Sequence, residues 1–505
     1  MQAIDRGWPA PQGYCDAAAT RSAGGPGPRQ WRPAVLLAAL VLVGCDSGDP
    51  ETASVAGQTV YRSAVGPVPA YPQRPGDPAK GYDALLNRAV VTCGFPYSGY
   101  VKAIGSAKRE SGPQFPGRAG RNAALPYMLT AYQSASGVEL VTSNCLTCHA
   151  ATFDGQLVMG LGNAFLDMTQ DPLVAVESAG SYVKGRAARA EWRRWADRIG
   201  TLSDYMMTDT IGVNSAGNLT AALMAHRDPA TLAWSERPLI EPPPRQPLPV
   251  AVPPWWTLRK KHALFYSGEG RGDHARFMML VASICTDTGA QAEAIDAWAP
   301  DVRAYLAELP SPKYPYPIDR SLAERGYPVF QSHCKRCHGT YGEDWRYPNQ
   351  VIALGKVGTD PALARAGYAD SARFRAWFQQ SFYGALSQAA PALGYAAPPL
   401  DGVWATAPYL HNDSVPTLAA LLDSRARPTY WRFKRTAGDQ PIYDRVQVGW
   451  DHEVLTAGKA AAMSWDERNR IYDTTGKGYG NRGHAFGDAL SVEQRLALVE
   501  YLKTL

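Results

Sequence analysis

Apolar positions along this chain fall into short runs at helical spacing, separated by glycine and proline. The first run, Ala34 to Val43, follows Arg29 and Arg32. It is too short to span a bilayer and has the form of a signal h-region. Farther on, Val302, Tyr305, Leu306 and Leu309 share one face of a predicted helix from Asp301 to Leu309, with Pro300 near its start. Near the end of the sequence, Ser491 and Gln494 form a predicted capping box ahead of Leu496, Val499 and Leu502. Pro242 to Pro254 is proline-rich and predicted to be extended. The run Tyr182–Ile199 is basic, with Trp192 and Trp195 interleaved, and predicts a solvated helical face. With 47 glycines and 40 prolines as punctuation, the pattern predicts a mainly α, loop-rich protein. At 505 residues it is too long for one small domain.

The apolar run ends in Leu42-Val43-Gly44-Cys45, which has the pattern of a bacterial lipobox. Residues 1–44 are then a lipoprotein signal peptide, Cys45 carries lipid, and residues 45–80 form a flexible tether. The expected location is exported: periplasm or cell envelope, with the outer membrane as one destination. Loss of residues 1–44 removes four basic and two acidic side chains and lowers the net charge from +5 to +3. Neither charge nor patterning resembles a nucleic-acid footprint.

Of the eight cysteines, Cys15 leaves with the signal and Cys45 takes lipid. Four lie in Cys145-Leu146-Thr147-Cys148-His149 and Cys334-Lys335-Arg336-Cys337-His338. Positions i, i+3 and i+4 share one helical face. The spacing therefore sets two thiols at the edge of a haem and an imidazole beneath its iron, and it predicts two covalently bound haem c groups. A bare C-x-x-C also fits a redox dithiol or half a zinc site, but the histidine that follows, present twice, argues against both. Cys93 and Cys285 remain; a disulfide and two buried free thiols are both open readings.

The two motifs sit in similar surroundings. Gly137 and Gly326 each stand eight residues before a motif's first cysteine, and a Y-L-x-x-L helix follows each motif much later. Small cytochromes c likewise lead into the motif with one helix and close with another across it. Two cytochrome c-like haem modules with long insertions are expected, at 81–310 and 318–505, split near Ser311–Pro317.

What lies beyond each iron decides function, because an iron with two strong protein ligands relays electrons and an open one takes a substrate. His333 points elsewhere on its helix. His484, in a glycine-flanked loop before the closing helix, and His411 are the alternatives for the second haem. For the first, Met159, Met206, Met207, Met278 and Met279 are candidates and none stands out.

Thr406-Ala-Pro-Tyr-Leu-His-Asn-Asp-Ser-Val-Pro-Thr-Leu418 resembles a segment of bacterial di-haem cytochrome c peroxidases and their MauG-like relatives. From Tyr82 onward the chain is also similar to rubber oxygenases of the RoxA and RoxB kind. The similarity rests on Pro253-Pro-Trp-Trp256, Lys260-Lys-His-Ala-Leu-Phe-Tyr266, Gly270-Arg-Gly-Asp273, Tyr314-Pro-Tyr-Pro-Ile-Asp319, Pro398-Pro-Leu-Asp-Gly-Val-Trp404 and the Gly483-His484 loop. The resemblance implies that His149 is the proximal ligand of an active haem open to dioxygen. It implies that His338 and His484 both bind the second, electron-relaying haem. It also implies apolar and aromatic side chains around the active site and a tryptophan between the haems, for which Trp255, Trp256 and Phe265 are the candidates. Members of that group are secreted, whereas Cys45 predicts a lipid anchor here.

The expectation is a haem-dependent oxidoreductase that uses dioxygen to oxidise or cleave an apolar, alkene-containing substrate, small or polymeric, with a redox partner protein. The alternatives are a peroxide-dependent di-haem peroxidase, for which Glu177, Glu191 and Glu236 are acid–base candidates, and a pure electron-transfer cytochrome.

Overall fold

The computed structural model describes residues 64–103 and 112–505, together with the backbone of an antiparallel pair, Thr52–Val55 with Gln58–Tyr61. The expected signal peptide at 1–44 and the expected lipid-bearing Cys45 lie outside the described residues. Residues 51–505 form one compact unit. About 39% of the chain is helical and 13% is strand in several small sheets, so the fold is mixed α/β rather than mainly α. No helix among the described residues is long and apolar enough to cross a membrane.

The elements that position the site are few. Helix α1 spans Pro78–Asn87, opened by Asp77, whose carboxylate accepts from the N–H groups of Ala79 and Lys80. Strands β1 (Leu129–Gln133) and β2 (Glu139–Ser143) pair antiparallel, with Tyr132 opposite Leu140. Strands β3 (Ala150–Phe153) and β4 (Gln156–Met159) form a second hairpin around Asp154-Gly155, both residues at positive φ. Helix α2 is Arg186–Leu202, α3 is His274–Met278 and α4 is Ala299–Glu308. Helix α5 (Arg320–His333) leads into the second motif, α6 is Leu418–Leu422 and α7 (Val492–Leu502) closes the chain.

This arrangement overturns the expected pair of cytochrome c-like modules. The segment before the first motif is not a helix but the β1–β2 hairpin. Its residues alternate (Glu139-Leu-Val-Thr-Ser143), and Gly137 supplies a left-handed turn at φ 78°. A hairpin follows the motif as well. What the two parts share is a helix crossing. Gly81 of α1 lies against the Asp301 carbonyl of α4, and Gly326 of α5 against the Ala497 carbonyl of α7, each too close for a Cβ. The helical counterpart of Gly326 is therefore Gly81, not Gly137.

Helix α7 carries the expected capping box between Ser491 and Gln494. It buries Ala497, Leu498, Val499 and Leu502, while Leu496 turns outward at 51% exposure. Val302, Tyr305 and Leu306 of α4 pack in the larger core, which also holds Cys145, Leu146, Trp255 and Phe277. Helix α2 is not simply a solvated face: Arg186, Arg189 and Arg193 are exposed, but Arg194 and Arg198 turn inward to Asp287, at 2.7 and 3.0 Å.

The chain interleaves rather than folding in sequence order. Gly66–Pro67 pairs with Gln350–Val351, and Gly270–Gly272 pairs with Ser387–Ala389. Residues 64–80, expected to continue a flexible tether, are pinned: Arg74 bonds both Asp273 and Asp296. Cys93 and Cys285 are disulfide-bonded and fully buried, with Cα atoms 5.8 Å apart across 192 residues of sequence. A loop of that size places the stabilisation near the upper end of the usual range of about 2–5 kcal/mol.

Helix propensity alone would make Gly326→Ala stabilising by about 0.5–1 kcal/mol. The crossing reverses the sign. Gly81→Ala and Gly326→Ala are each expected to destabilise by about 1–3 kcal/mol through overpacking, read as a lowered melting temperature; an unchanged or raised Tm would refute the close crossing.

Candidate functional site

At the second motif, α5 delivers Cys334, and the next turn, Lys335–His338, carries the rest. The His338 Nδ1 lies 2.8 Å from the Pro398 carbonyl, so it carries the proton and donates, leaving Nε2 as the free lone pair. His484 faces this ring: the centroids are 6.2 Å apart and the planes lie at 64°. Two metal–nitrogen bonds of about 2 Å, added to the ring radii, place opposed imidazole centroids about 6 Å apart. The pair is spaced to ligate one iron from both sides. Burial pulls the His484 pKa down to about 3 and lowers that of His338, so both rings are neutral and available to a metal.

His484 is held by its backbone. Gly483 sits at φ 75° with its Cα packed on the Gly358–Thr359 peptide, and the His484 N–H donates to the Val357 carbonyl at 2.6 Å. Arg427 grips the same loop. Its guanidinium donates to the carbonyls of Asn481, Gly483 and His484 on one side and of Ala420 and Leu421 in α6 on the other, at 2.6 to 3.2 Å. The His484 Nδ1 is buried without a protein partner. His411 is also buried, its pKa drawn down to about 3, but it stacks on Tyr395 at 3.9 Å and does not face His338. His333 is exposed.

The first motif is set between the two hairpins. Asn144 caps it, accepting from the Leu146 N–H at 2.9 Å, and the Thr147 hydroxyl donates to the Met128 carbonyl. His149 is half-buried, its pKa lowered to about 4 by desolvation, and its ring stacks on Trp255 at 4.6 Å and 19°. Its Nδ1 makes no hydrogen bond, although the Pro253 carbonyl lies close enough to favour a proton there. Among the described residues no second imidazole stacks on or faces His149. Met159, Met278 and Met279 belong to the surrounding core, and Met206 to another cluster.

The thiols do not behave as redox dithiols. None of the four is bridged, and burial raises Cys145 to about 11 and Cys148 and Cys334 to about 12. Reactive C-x-x-C pairs have lowered values instead. No group of three or more His, Cys, Asp or Glu among the described residues is arranged to hold a metal on its own, which removes a closed zinc site. The donor set, two thiols and a neutral, half-buried imidazole at each motif, fits haem c.

Trp255 and Trp256 join the two motifs. Trp255 lies on His149; Trp256, 2% exposed, donates its indole N–H to the Asp401 carbonyl at 2.7 Å. Asp401 belongs to the segment whose Pro398 carbonyl orients His338, and its carboxylate pairs with buried Lys260 at 2.8 Å. Phe265, at φ 65° and 47% exposed, sets its ring against Phe277 of the core that holds Cys145 and Trp255. The carboxylates considered for acid–base work lie away from His149 in their contacts: Glu177 is exposed, Glu191 accepts from Ser136, and Glu236 lines a cleft of about 860 Å³ with His226 and Pro242. Sequence reasoning missed Arg427, which nothing local marks, and the buried carboxyl of Asp413, raised well above its usual range within the Thr406–Leu418 segment.

A family model described as RoxA-like, cytochrome c-like, matches residues 394–432, the stretch that contains Pro398, Asp401, His411 and Arg427. Two proteins of Sinorhizobium fredii are similar to this chain. The uncharacterized protein y4iM is 30% identical over 248 residues, 40% of this chain and 53% of the relative. The uncharacterized protein y4iJ is 30% identical over 251 residues, 37% and 39% respectively. The chain thus matches about half or less of the length of these relatives. The matched segment relates the chain to RoxA-like cytochromes, and with that relationship come covalently bound haem c and an oxidoreductase kind of function.

Proposed function

We propose that this chain is a di-haem oxidoreductase that oxidises an apolar, alkene-containing substrate with dioxygen. One haem is attached through Cys145, Cys148 and His149, the other through Cys334, Cys337 and His338. The observation that carries the reading is an asymmetry. His338 is opposed by His484 at ligating distance, whereas His149 is flanked by Trp255 and by apolar core. Haem iron, when bound, supplies one-electron chemistry and, where a coordination position stays free, activation of oxygen.

The chain's own residues then divide the labour. His338 and His484 present neutral imidazoles, and the Pro398 carbonyl and the Arg427 clamp keep them from rotating away. His149 presents one imidazole beneath the other centre. Leu146, Leu258, Phe277 and Leu306 keep the surrounding core dry, favouring an apolar substrate over a polar one. Trp255 and Trp256, adjacent in sequence, link the ring on His149 to the Asp401 segment beside His338. The peroxidase reading gains no support from Glu177, Glu191 or Glu236. Export to the periplasm or cell envelope, with Cys45 as a lipid anchor and a soluble redox protein as partner, is part of the same proposal; the buried Cys93–Cys285 bond favours an oxidising compartment.

In the ferric protein one haem is expected to be low-spin and the other high-spin, and the ferrous protein to bind carbon monoxide at one site only. His484→Ala is expected to convert the low-spin centre to high-spin by electron paramagnetic resonance, while His411→Leu leaves it low-spin; the reverse result would reassign the ligand. Arg427→Met strands five buried carbonyls. It is expected to cost at least about 2 kcal/mol and to give a mixed-spin second haem that added imidazole restores. Oxygen consumption with formation of carbonyl products is expected on adding polyisoprene or a small terpene to the purified protein. Turnover with peroxide and a reduced small cytochrome, and none with dioxygen, would replace the oxygenase reading.

A further inference from the structure

Three nitrogen-bearing side chains converge beside the first motif without an anion to receive them. Lys261 follows the helical turn Trp255–Lys260, His274 opens α3 and Arg303 lies on α4. Their apolar neighbours Leu258, Ala275 and Val302 share one core cluster with Cys145 and Leu146, which brings all three elements onto the motif. His274 is only 1% exposed and neither ring nitrogen makes a well-formed hydrogen bond, although the His262 carbonyl lies close enough to favour a proton on the ring; the Arg303 Nε is buried and unpartnered. The Lys261 ammonium makes no ion pair or hydrogen bond among the described residues. The carboxylate nearest in electrostatic terms, Asp273, is already committed to Arg74 at 3.0 Å and to the Arg276 N–H at 2.8 Å.

Gathering two half-buried cations around a buried imidazole costs free energy unless a counter-charge is present. Burial pulls Lys261 down to about 8, which leaves it charged at neutral pH, and its field reaches both His149 and His274. His274, lowered to about 4, stays neutral there and offers an N–H. This donor set suits a carboxylate: planar, twice accepting and anionic.

We propose that Lys261, His274 and Arg303 form a carboxylate-holding pocket that seats the propionates of the haem attached at Cys145 and Cys148. The inference rests on the two-haem reading above. The same donors would take the carboxylate of a free fatty acid, so the test separates the two sources.

The exported full-length protein is compared with Lys261→Met, His274→Leu and Arg303→Met, using Lys261→Arg and Arg303→Lys as charge-keeping controls. Intact mass counts the haems, and spectroelectrochemistry reads the two midpoint potentials. Expected are two haems in every variant and a lower potential for the first haem in Lys261→Met and Arg303→Met. His274→Leu should shift it less, the controls should stay near wild type, and the second haem's potential should not move. Potentials unmoved in all variants overturn the propionate assignment. If decanoate then binds the wild-type protein by calorimetry and its affinity falls at least tenfold in Lys261→Met, the carboxylate comes from a free ligand. If neither readout moves, the pocket does not exist. A wild-type protein carrying one haem by mass would sink the two-haem reading itself, an outcome distinct from an unmoved potential in a protein with two.

Discussion

The gap between His338 and His484 is the constraint around which the C-terminal part is built. Two neutral, half-buried imidazoles 6.2 Å apart are costly to maintain, because neither touches the other and each gives up much of its hydration. The surroundings hold them from behind. A carbonyl takes the proton of one ring, and a single guanidinium fixes the backbone that carries the other. Arg427 makes no hydrogen bond to a carboxylate; it spends its donors on five carbonyls, joining the end of α6 to a loop more than fifty residues later in the sequence. That loop can adopt its left-handed backbone only because Gly483 lies flat on a neighbouring peptide.

The two parts of the molecule are not independent units placed side by side. Trp255 and Trp256 are adjacent in sequence but belong to different surroundings, one resting on His149 and the other bonded to the segment that orients His338. The buried Lys260–Asp401 pair, with the ammonium over the rings of Tyr341 and Trp345, locks the same junction. A shift of either motif is therefore felt by the other through a few short, buried contacts.

Much of the chemistry was legible in the sequence, because thiol and imidazole spacing is a local property. The two motifs, the pair Cys93 and Cys285, the cap of the last helix and the glycine-flanked His484 could all be singled out from neighbouring residues. The architecture was less legible. Strands of four or five residues carry too little alternation to outweigh an apparent repeat, so Gly137 was aligned with Gly326 although one turns a hairpin and the other lies in a helix crossing. The true counterpart, Gly81, meets a partner helix that follows only after the whole first motif and its insertions. Arg427 was invisible for a different reason: its partners are backbone carbonyls, which carry no side-chain identity. Lys261, His274 and Arg303 become notable only when folding brings them together beside an Asp273 already taken by Arg74.

The bond between Cys93 and Cys285 closes a covalent ring of polypeptide, and the first attachment motif lies inside it. On the two-haem proposal, six of the thiols must be sorted during maturation, two to each other and four to vinyl groups. Once the chain has folded, burial keeps Cys145, Cys148 and Cys334 protonated and slow to exchange. Before that, the same thiols are open to pairing with one another. Order of assembly is thus a chemical requirement of this molecule: an early mispairing at Cys145 or Cys148 would exclude the cofactor from a ring that had already shut.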